Sequence, residues 1–326
     1  MFRSKILGTL VAATAVTLVA SSTSLAANDY PSHPIKVIVP YAAGASTDAL
    51  SRLVAKEVSE QFGVPVIAEN KAGAGGSLAA EYVSRQPGDG YTFMLSTDGI
   101  MATNPNVYKT LNYDPLKDFS SLTIAVAIPL VLVVRGDSPF NSAKELLEYA
   151  KANPGKLSYG SSGIGSSQHI AGEFMKQLAG VDIPHIPYRG GAPAMKDLLG
   201  GHHDMMHVQV PSAKKLAEDG KLKILAIGSA QRNPLLPDVP TFQEIGLTGF
   251  VSDTWYGFSM PKTADPAVQK KLSDAIIKGL HKNKDFLESQ GYNIIASSPE
   301  EMTRTVEENL KKWEEVTKKA GFYKSN

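Results

Sequence analysis

The sequence predicts an α/β protein with mixed, mostly parallel sheets flanked by helices. Two observations carry that expectation. Short β-branched or apolar runs alternate with amphipathic segments of helix length. Glycine- and proline-containing turns punctuate the alternation, and no solenoid-type repeat interrupts it.

The chain has 326 residues, enough for one large or two ordinary domains with real cores. Its 33 basic and 32 acidic residues nearly cancel, so nothing points to nucleic acid or an anionic membrane surface as partner. Cysteine is absent, which removes disulfides, a lipid-attachment Cys, a Cys nucleophile and Cys metal ligands.

Residues 1–26 read as a signal peptide. Arg3 and Lys5 precede an apolar run from Ile6 to about Ala20, and small residues lead to Ser24-Leu25-Ala26. The run is short and rich in Ala and Thr for a spanning helix. The mature chain is therefore expected in the periplasm, cleaved after Ala26 or Ala27.

In the mature chain Lys36–Val39 reads as a buried strand that stops at Pro40, which cannot donate to a ladder. A small-residue loop follows, and Ser46, Thr47 and Asp48 are good helix-opening residues. Leu50, Leu53, Val54, Val58 and Phe62 then mark one helix face. Val64–Ala68 reads as a strand, Leu78–Arg85 as a helix and Tyr91–Ser96 as a strand. Ala125–Val134 is another apolar run. Ser142-Ala-Lys-Glu145 is a capping box for a helix that Asn153-Pro-Gly155 stops.

Leu157–Tyr159 enters a second small-residue loop, Gly160-Ser-Ser-Gly-Ile-Gly-Ser-Ser-Gln-His169, and a helix runs from about Ser167 to Leu178. Ile183–Tyr188 reads as a strand, Ala194–Leu199 as a helix ended by Gly200-Gly201, and Asp204–Val210 and Lys223–Gly228 as strands. Asp265-Pro266 opens one C-terminal helix, and the capping box Ser298-Pro-Glu-Glu301 opens the last.

Both small-residue loops join a strand to a helix. Such a loop leaves N–H groups pointing outward, and the helix dipole adds to them, so each favours an anion. Other motifs fall short of the chemistry they suggest. Gly73-Ala-Gly75-Gly76-Ser77 lacks the Gly-Lys-Ser/Thr ending of a phosphate loop and the third Gly of a dinucleotide fingerprint. Gly160-Ser161-Ser162-Gly163 departs from the hydrolase elbow because Ile164 takes the final glycine position. An exported serine hydrolase using Ser162 with His169 is the alternative reading, and no acid is placed to complete it. His203 and His207 would share a helix face and suit zinc, but Gly200-Gly201 and Val208-Gln-Val210 favour a turn and a strand. On a strand they lie about 13 Å apart, too far for one ion. Tyr41, Trp255 and Tyr256 are expected in the core, with a lid over ligand as the sharper alternative for Tyr41.

Taken together, Pro40-Tyr-Ala-Ala-Gly-Ala-Ser-Thr-Asp48, Glu69-Asn-Lys-Ala-Gly-Ala-Gly-Gly76, Gly90-Tyr-Thr92, Asn104-Pro105, the 159–169 loop, Ile186-Pro-Tyr-Arg-Gly-Gly-Ala-Pro193, Asp197-Leu-Leu-Gly-Gly201 and Leu236-Pro-Asp-Val-Pro-Thr241 resemble the Bug or TctC-type family. These are periplasmic solute-binding proteins of tripartite tricarboxylate transporters, and the resemblance spans nearly the whole mature chain. It implies a two-lobed Venus-flytrap fold of type II-like periplasmic binding proteins. Lobe one would be 28–127 plus 252–326, and lobe two 128–251. It also implies a small mono-, di- or tricarboxylate held between the lobes for membrane transporter subunits, with no catalysis, no cofactor and no metal. The receptor is expected to act as a monomer.

By position, the resemblance gives lobe one Tyr41, Ala43, Gly44, Ser46, Thr47 and Asp48 as ligand-binding residues, with Ser96 and Thr97 added. It gives lobe two Ser161, Ser162, Gly163, Gly165, Ser166 and His169, with Arg189 and Asp204. The chain departs from the family where Phe-Asp-Asn is usual and His207-Val208-Gln209 stands, and where Gly-Gly-Gln-Val-Asp is usual and Gly200-Gly201-His202-His203-Asp204 stands.

Overall fold

The computed structural model describes residues 30–319 and 323–325, so the signal-peptide reading of 1–26 lies outside the described residues. The elements run β1 Ile35–Val39, α1 Ser46–Phe62, β2 Val66–Asn70, α2 Ser77–Ser84, β3 Thr92–Thr97, a π-helical turn Gly99–Thr103, α3 Asn104–Val107 and β4 Phe119–Arg135. They continue with α4 Ala143–Ala152, β5 Tyr159–Ser161, α5 Ser167–Ala179, β6 His185–Pro187, α6 Gly191–Leu199, β7 Met205–Gln209, α7 Val210–Glu218 and β8 Leu222–Ile227. The chain closes with β9 Asp253–Pro261, α8 Pro266–Lys282, α9 Lys284–Ser289, β10 Asn293–Ile294 and α10 Pro299–Lys319.

The strands join in the order β2-β1-β3-β9-β4-β7-β5-β6, with β8 and β10 also pairing β4. Strand β4 links the two halves of this path. Up to Pro129 it pairs with β9, and from Leu130 onward with β7 and β8. Pro129 has no N–H to give a ladder, which suits the point where partners change. The sheet is mixed, as expected, but four of the nine strand pairings are parallel and five antiparallel. The parallel pairs lie at the two ends, while every antiparallel pair involves β4 or β9. A parallel majority fails because these two strands pass between the halves instead of returning through a helix.

Apolar side chains sort by half. Ile38, Met94 and Trp255 pack with Met302 and Val306 of α10 in the first. In the second, one face of the sheet carries Leu132, Tyr159, Met175 and Phe250, and the other Val131, Met206, Leu198 and Ala213. The capping boxes form as expected. Ser142 Oγ accepts the Glu145 N–H, and Ser298 and Glu301 bond reciprocally at 3.1 and 2.8 Å.

Candidate functional site

The first loop is built around Asp48. Its carboxylate accepts the Gly44 N–H at 3.1 Å, Arg52 Nε at 3.0 Å and Asn70 Nδ2 at 3.1 Å. Burial alone would raise its pKa, but the bonds from Arg52, Asn70 and Gly44 outweigh it and hold the carboxyl below its ordinary value. Asp48 therefore shapes the loop and is not among the residues lining the polar cavity between the two halves. Asn70 also holds the Tyr41 carbonyl at 2.9 Å. Ser46 turns inward, its hydroxyl 3.0 Å from Tyr256 Oη. Tyr41 reaches the Gly75 carbonyl at 3.3 Å and lies 3.4 Å from Thr97 Oγ1.

The second loop is closed on itself by its own hydroxyls. Ser166 caps α5 by accepting the His169 N–H and donates to the Gly163 carbonyl at 2.7 Å. Ser161 Oγ lies 2.6 Å from His185 Nε2 and accepts the Gly163 N–H at 3.1 Å. Ser162 N–H donates to Gln168 Oε1 at 2.8 Å. His169 Nδ1 accepts the Gly165 N–H at 3.3 Å, and its ring lies 4.3 Å from that of His185. Burial pushes His169 down to about 4 and His185 down to about 3, so both rings are neutral at pH 7.

The two halves meet across the cleft. Ala42 N–H donates to the Arg189 carbonyl at 3.3 Å, and Tyr108 Oη to the Ile164 carbonyl at 2.9 Å. Between them lies a small polar cavity of about 20 Å³. Tyr41, Ser46, Thr47, Thr97 and Tyr256 line it from the first half, and Ser162, Ser167, Gln168, Gly191 and Gln209 from the second. No Asp, Glu, Lys, Arg or His is among the lining residues.

A larger groove of about 360 Å³ adjoins it, sharing Ala45, Ser46 and Gly191. The starts of α1, α6 and α7 border that groove, and none of the three has a side-chain cap. Helices α4, α8 and α10, which start elsewhere, are closed by Ser142, Asp265 and Ser298. The first turns of α1, α6 and α7 thus border the groove without a side-chain acceptor of their own.

Of the residues expected at the site, Tyr41, Ser46, Thr47, Thr97 and Ser162 line the cavity. Ala43 is exposed on the first loop, and Gly44 borders the larger groove. Asp48, Ser161, Gly163, Gly165, Ser166 and His169 build the loops without lining the cavity. The structure does not bring the remaining three to it. Ser96 bonds Ser259 at 2.8 Å within the sheet. Arg189 is exposed, contributing its carbonyl to the contact with Ala42. Asp204 accepts the Ser158 N–H at 2.8 Å, beyond the opposite end of β5.

Ala45, Ser167, Gln168, Gly191, Gln209 and Tyr256 line the cavity without having been expected there. Gln168 stands inside the loop motif and Gln209 inside the stretch that departs from the family. Those were the signals available. The segment 205–209 is a strand, as the flanking residues predict, and His207 packs on Phe242 and Phe250. No group of three metal-ligating side chains occurs among the described residues.

Residues 50–322 match the Tripartite tricarboxylate transporter family receptor, TctC. The chain belongs to this family. The TctC receptor is 30% identical to protein BugT of Bordetella pertussis over 300 residues, 91% of this chain and 92% of that one. The solved structure of R. palustris Rpa4515 with adipate is 35% identical, covering 90% of this chain and 99% of its own, with a TM-score of 0.86. MatC from Rhodopseudomonas palustris with bound malate is 29% identical, covering 88% and 99%, with a TM-score of 0.83. The fold of this TctC receptor is thus the two-lobed one of periplasmic binding proteins, and the chain is a binding protein rather than an enzyme. The serine-hydrolase alternative finds no support. Among the described residues no hydrogen bond joins Ser162 to His169, whose Nδ1 is taken by Gly165.

Proposed function

We propose that the polar cavity between the loops holds one carboxylate of a small organic acid. In this reading the receptor captures the acid in the periplasm, as a monomer, and presents it to the membrane subunits of a tripartite tricarboxylate transporter. The observation that carries the proposal is the lining itself, in which hydroxyls come from both halves and side-chain amides from the second, with no charged side chain among them. The adipate of Rpa4515 and the malate of MatC support the same ligand class.

The lobes are 28–127 plus 252–326 and 128–251, so that both boundaries fall beside Pro129 and Ser252, where β4 changes partners and β9 begins. Hydrogen bonds to a charged group contribute about 1.5–3 kcal/mol each. Four or five of them, less the loss of ligand freedom, give about −8 kcal/mol, or micromolar affinity. A cavity of about 20 Å³ has room for about one water. An acid therefore enters with the lobes apart, and its contacts with both favour the closed form.

A thermal-shift and calorimetric screen of the mature chain against mono-, di- and tricarboxylates tests this. An acid at about one hundred times its Kd is expected to stabilise the fold by about 2.7 kcal/mol. Ser162→Ala is expected to weaken its binding. A panel in which no acid moves the melting temperature overturns the reading.

A further inference from the structure

Gln168 and Gln209 are 2% and 5% exposed, and both line the cavity. They form a row whose polarity one backbone group decides. Ser162 N–H donates to Gln168 Oε1 at 2.8 Å. A main-chain N–H cannot accept, so the oxygen of Gln168 must face it. Gln168 Nε2 is then turned to Gln209 Oε1, at 3.1 Å. Each oxygen now accepts one hydrogen bond, and the last group of the row is the amide nitrogen of Gln209. Its single side-chain partner among the described residues is Ser167 Oγ at 3.5 Å, the outer limit of a hydrogen bond. Flipping Gln168 would set its NH₂ against the Ser162 N–H, and flipping Gln209 would set two NH₂ groups face to face. The row therefore ends in a donor.

From this polarity we infer that Gln209 is a specificity-determining residue, selecting a deprotonated carboxylate over an ammonium or other donor-only group. Gln168 is the positioning residue that turns it. The inference rests on the proposed carboxylate site and names what that site rejects. It also explains how the second lobe donates to an anion although the Ser162 N–H is already used. The donor capacity of that N–H is relayed through two side-chain amides to Gln209. An ammonium in the same place would meet the NH₂ hydrogens of Gln209.

Calorimetry with hexanoate and hexylammonium, which share a chain and differ in the sign of the head group, tests the inference beside the acid panel. Wild-type protein is expected to bind its best acid and not hexylammonium. Gln209→Met removes the donor at near-constant volume and is expected to weaken that acid about tenfold or more. Gln209→Glu is expected to lose the acid altogether, because a carboxylate there repels that of the ligand while Gln168 Nε2 still has its acceptor. Gln168→Met frees Gln209 to rotate and is expected to lower affinity and narrow the preference for acid over amine. Should Gln209→Met fail to fold, Gln209→Asn keeps the donor one methylene short and is expected to lose affinity while keeping the preference. Acid binding in folded Gln209→Met or Gln209→Glu equal to wild type overturns the inference and leaves the carboxylate site standing. Wild-type protein that binds no acid of the panel removes the site and the inference together.

Discussion

Gly75 lies against Ile164 across the cleft, so close that a Cβ on Gly75 would stand 2.2 Å from the Ile164 carbonyl oxygen. Gly75 also adopts φ +58°, a left-handed conformation that glycine takes without a Cβ penalty. Its neighbour across the seam is similar, since a Cβ on Gly165 would stand 2.0 Å from Asn104 Oδ1. Gly75 lets two backbones touch, and Gly165 leaves room for the Asn104 side chain. Gly75→Ala is therefore expected to hold the lobes apart without unfolding either. Small-angle scattering with saturating acid should show a larger radius of gyration than wild type. Calorimetry should show affinity reduced by about tenfold or more, since ligand must then offset an unfavourable closure.

Asp48 carries a different expectation from the hydroxyls around it. It is buried, and its bonds to Gly44, Arg52 and Asn70 fix the first loop. Asp48→Ala leaves those donors without an acceptor and is expected to cost about 1–3 kcal/mol of stability. Chemical denaturation of the unliganded protein checks this. A loss of binding with stability unchanged would instead place the carboxylate against ligand.

The parts of this site written in local sequence were legible, and the parts assembled from distance were not. Both loops, the Ser142 and Ser298 caps and the Asp265-Pro266 start are short-range patterns, because capping residues act within one turn. Strand β9 escaped notice. Nearly every residue of DTWYGFSMP is buried, so no alternation marks it, and it is held by β3 and β4, far off in the chain. Helix α7 was hidden because Val210-Pro211 follows β7 with no intervening loop. Gln209 stands at the start of α7, and Tyr256 lies within β9. Periodicity cannot show that a buried polar residue faces a cavity rather than a core.

Acidification should loosen the second lobe. Burial lowers His207 to about 3, His185 to about 3 and His169 to about 4, all below an unfolded value near 6.5. Below that value the unfolded chain binds protons that the folded chain refuses. Stability from these groups is therefore complete above about pH 6.5 and falls as pH drops towards the folded values. For His207, which is fully buried, the loss between pH 6.5 and 5.5 is about 1 kcal/mol. Folded His169, with its value at about 4, stays neutral and keeps accepting the Gly165 N–H over this range, so acid affinity should hold down to pH 5.5 and fall only towards pH 4. Denaturation midpoints and calorimetry at pH 7.5, 6.5 and 5.5 check both effects. A flat stability profile would mean that these rings stay solvated.

His207 itself offers the sharpest test of that account. Neither ring nitrogen has a partner among the described residues, and the ring is fully buried, stacked 5.6 Å from Phe242 and 6.0 Å from Phe250. A neutral imidazole always carries one N–H, so a desolvated donor and a desolvated acceptor are both left unpaired. Leucine is close in volume and carries neither. His207→Leu is expected to gain about 1–3 kcal/mol at pH 7.5 from the unmet polar groups. The gain should grow on acidification, because the variant also loses one of the titrating groups. Denaturation of wild type and variant in parallel from pH 7.5 to 5.5 measures both quantities. A variant less stable than wild type would show that His207 holds a hydrogen-bonded water or partner whose loss outweighs the relief.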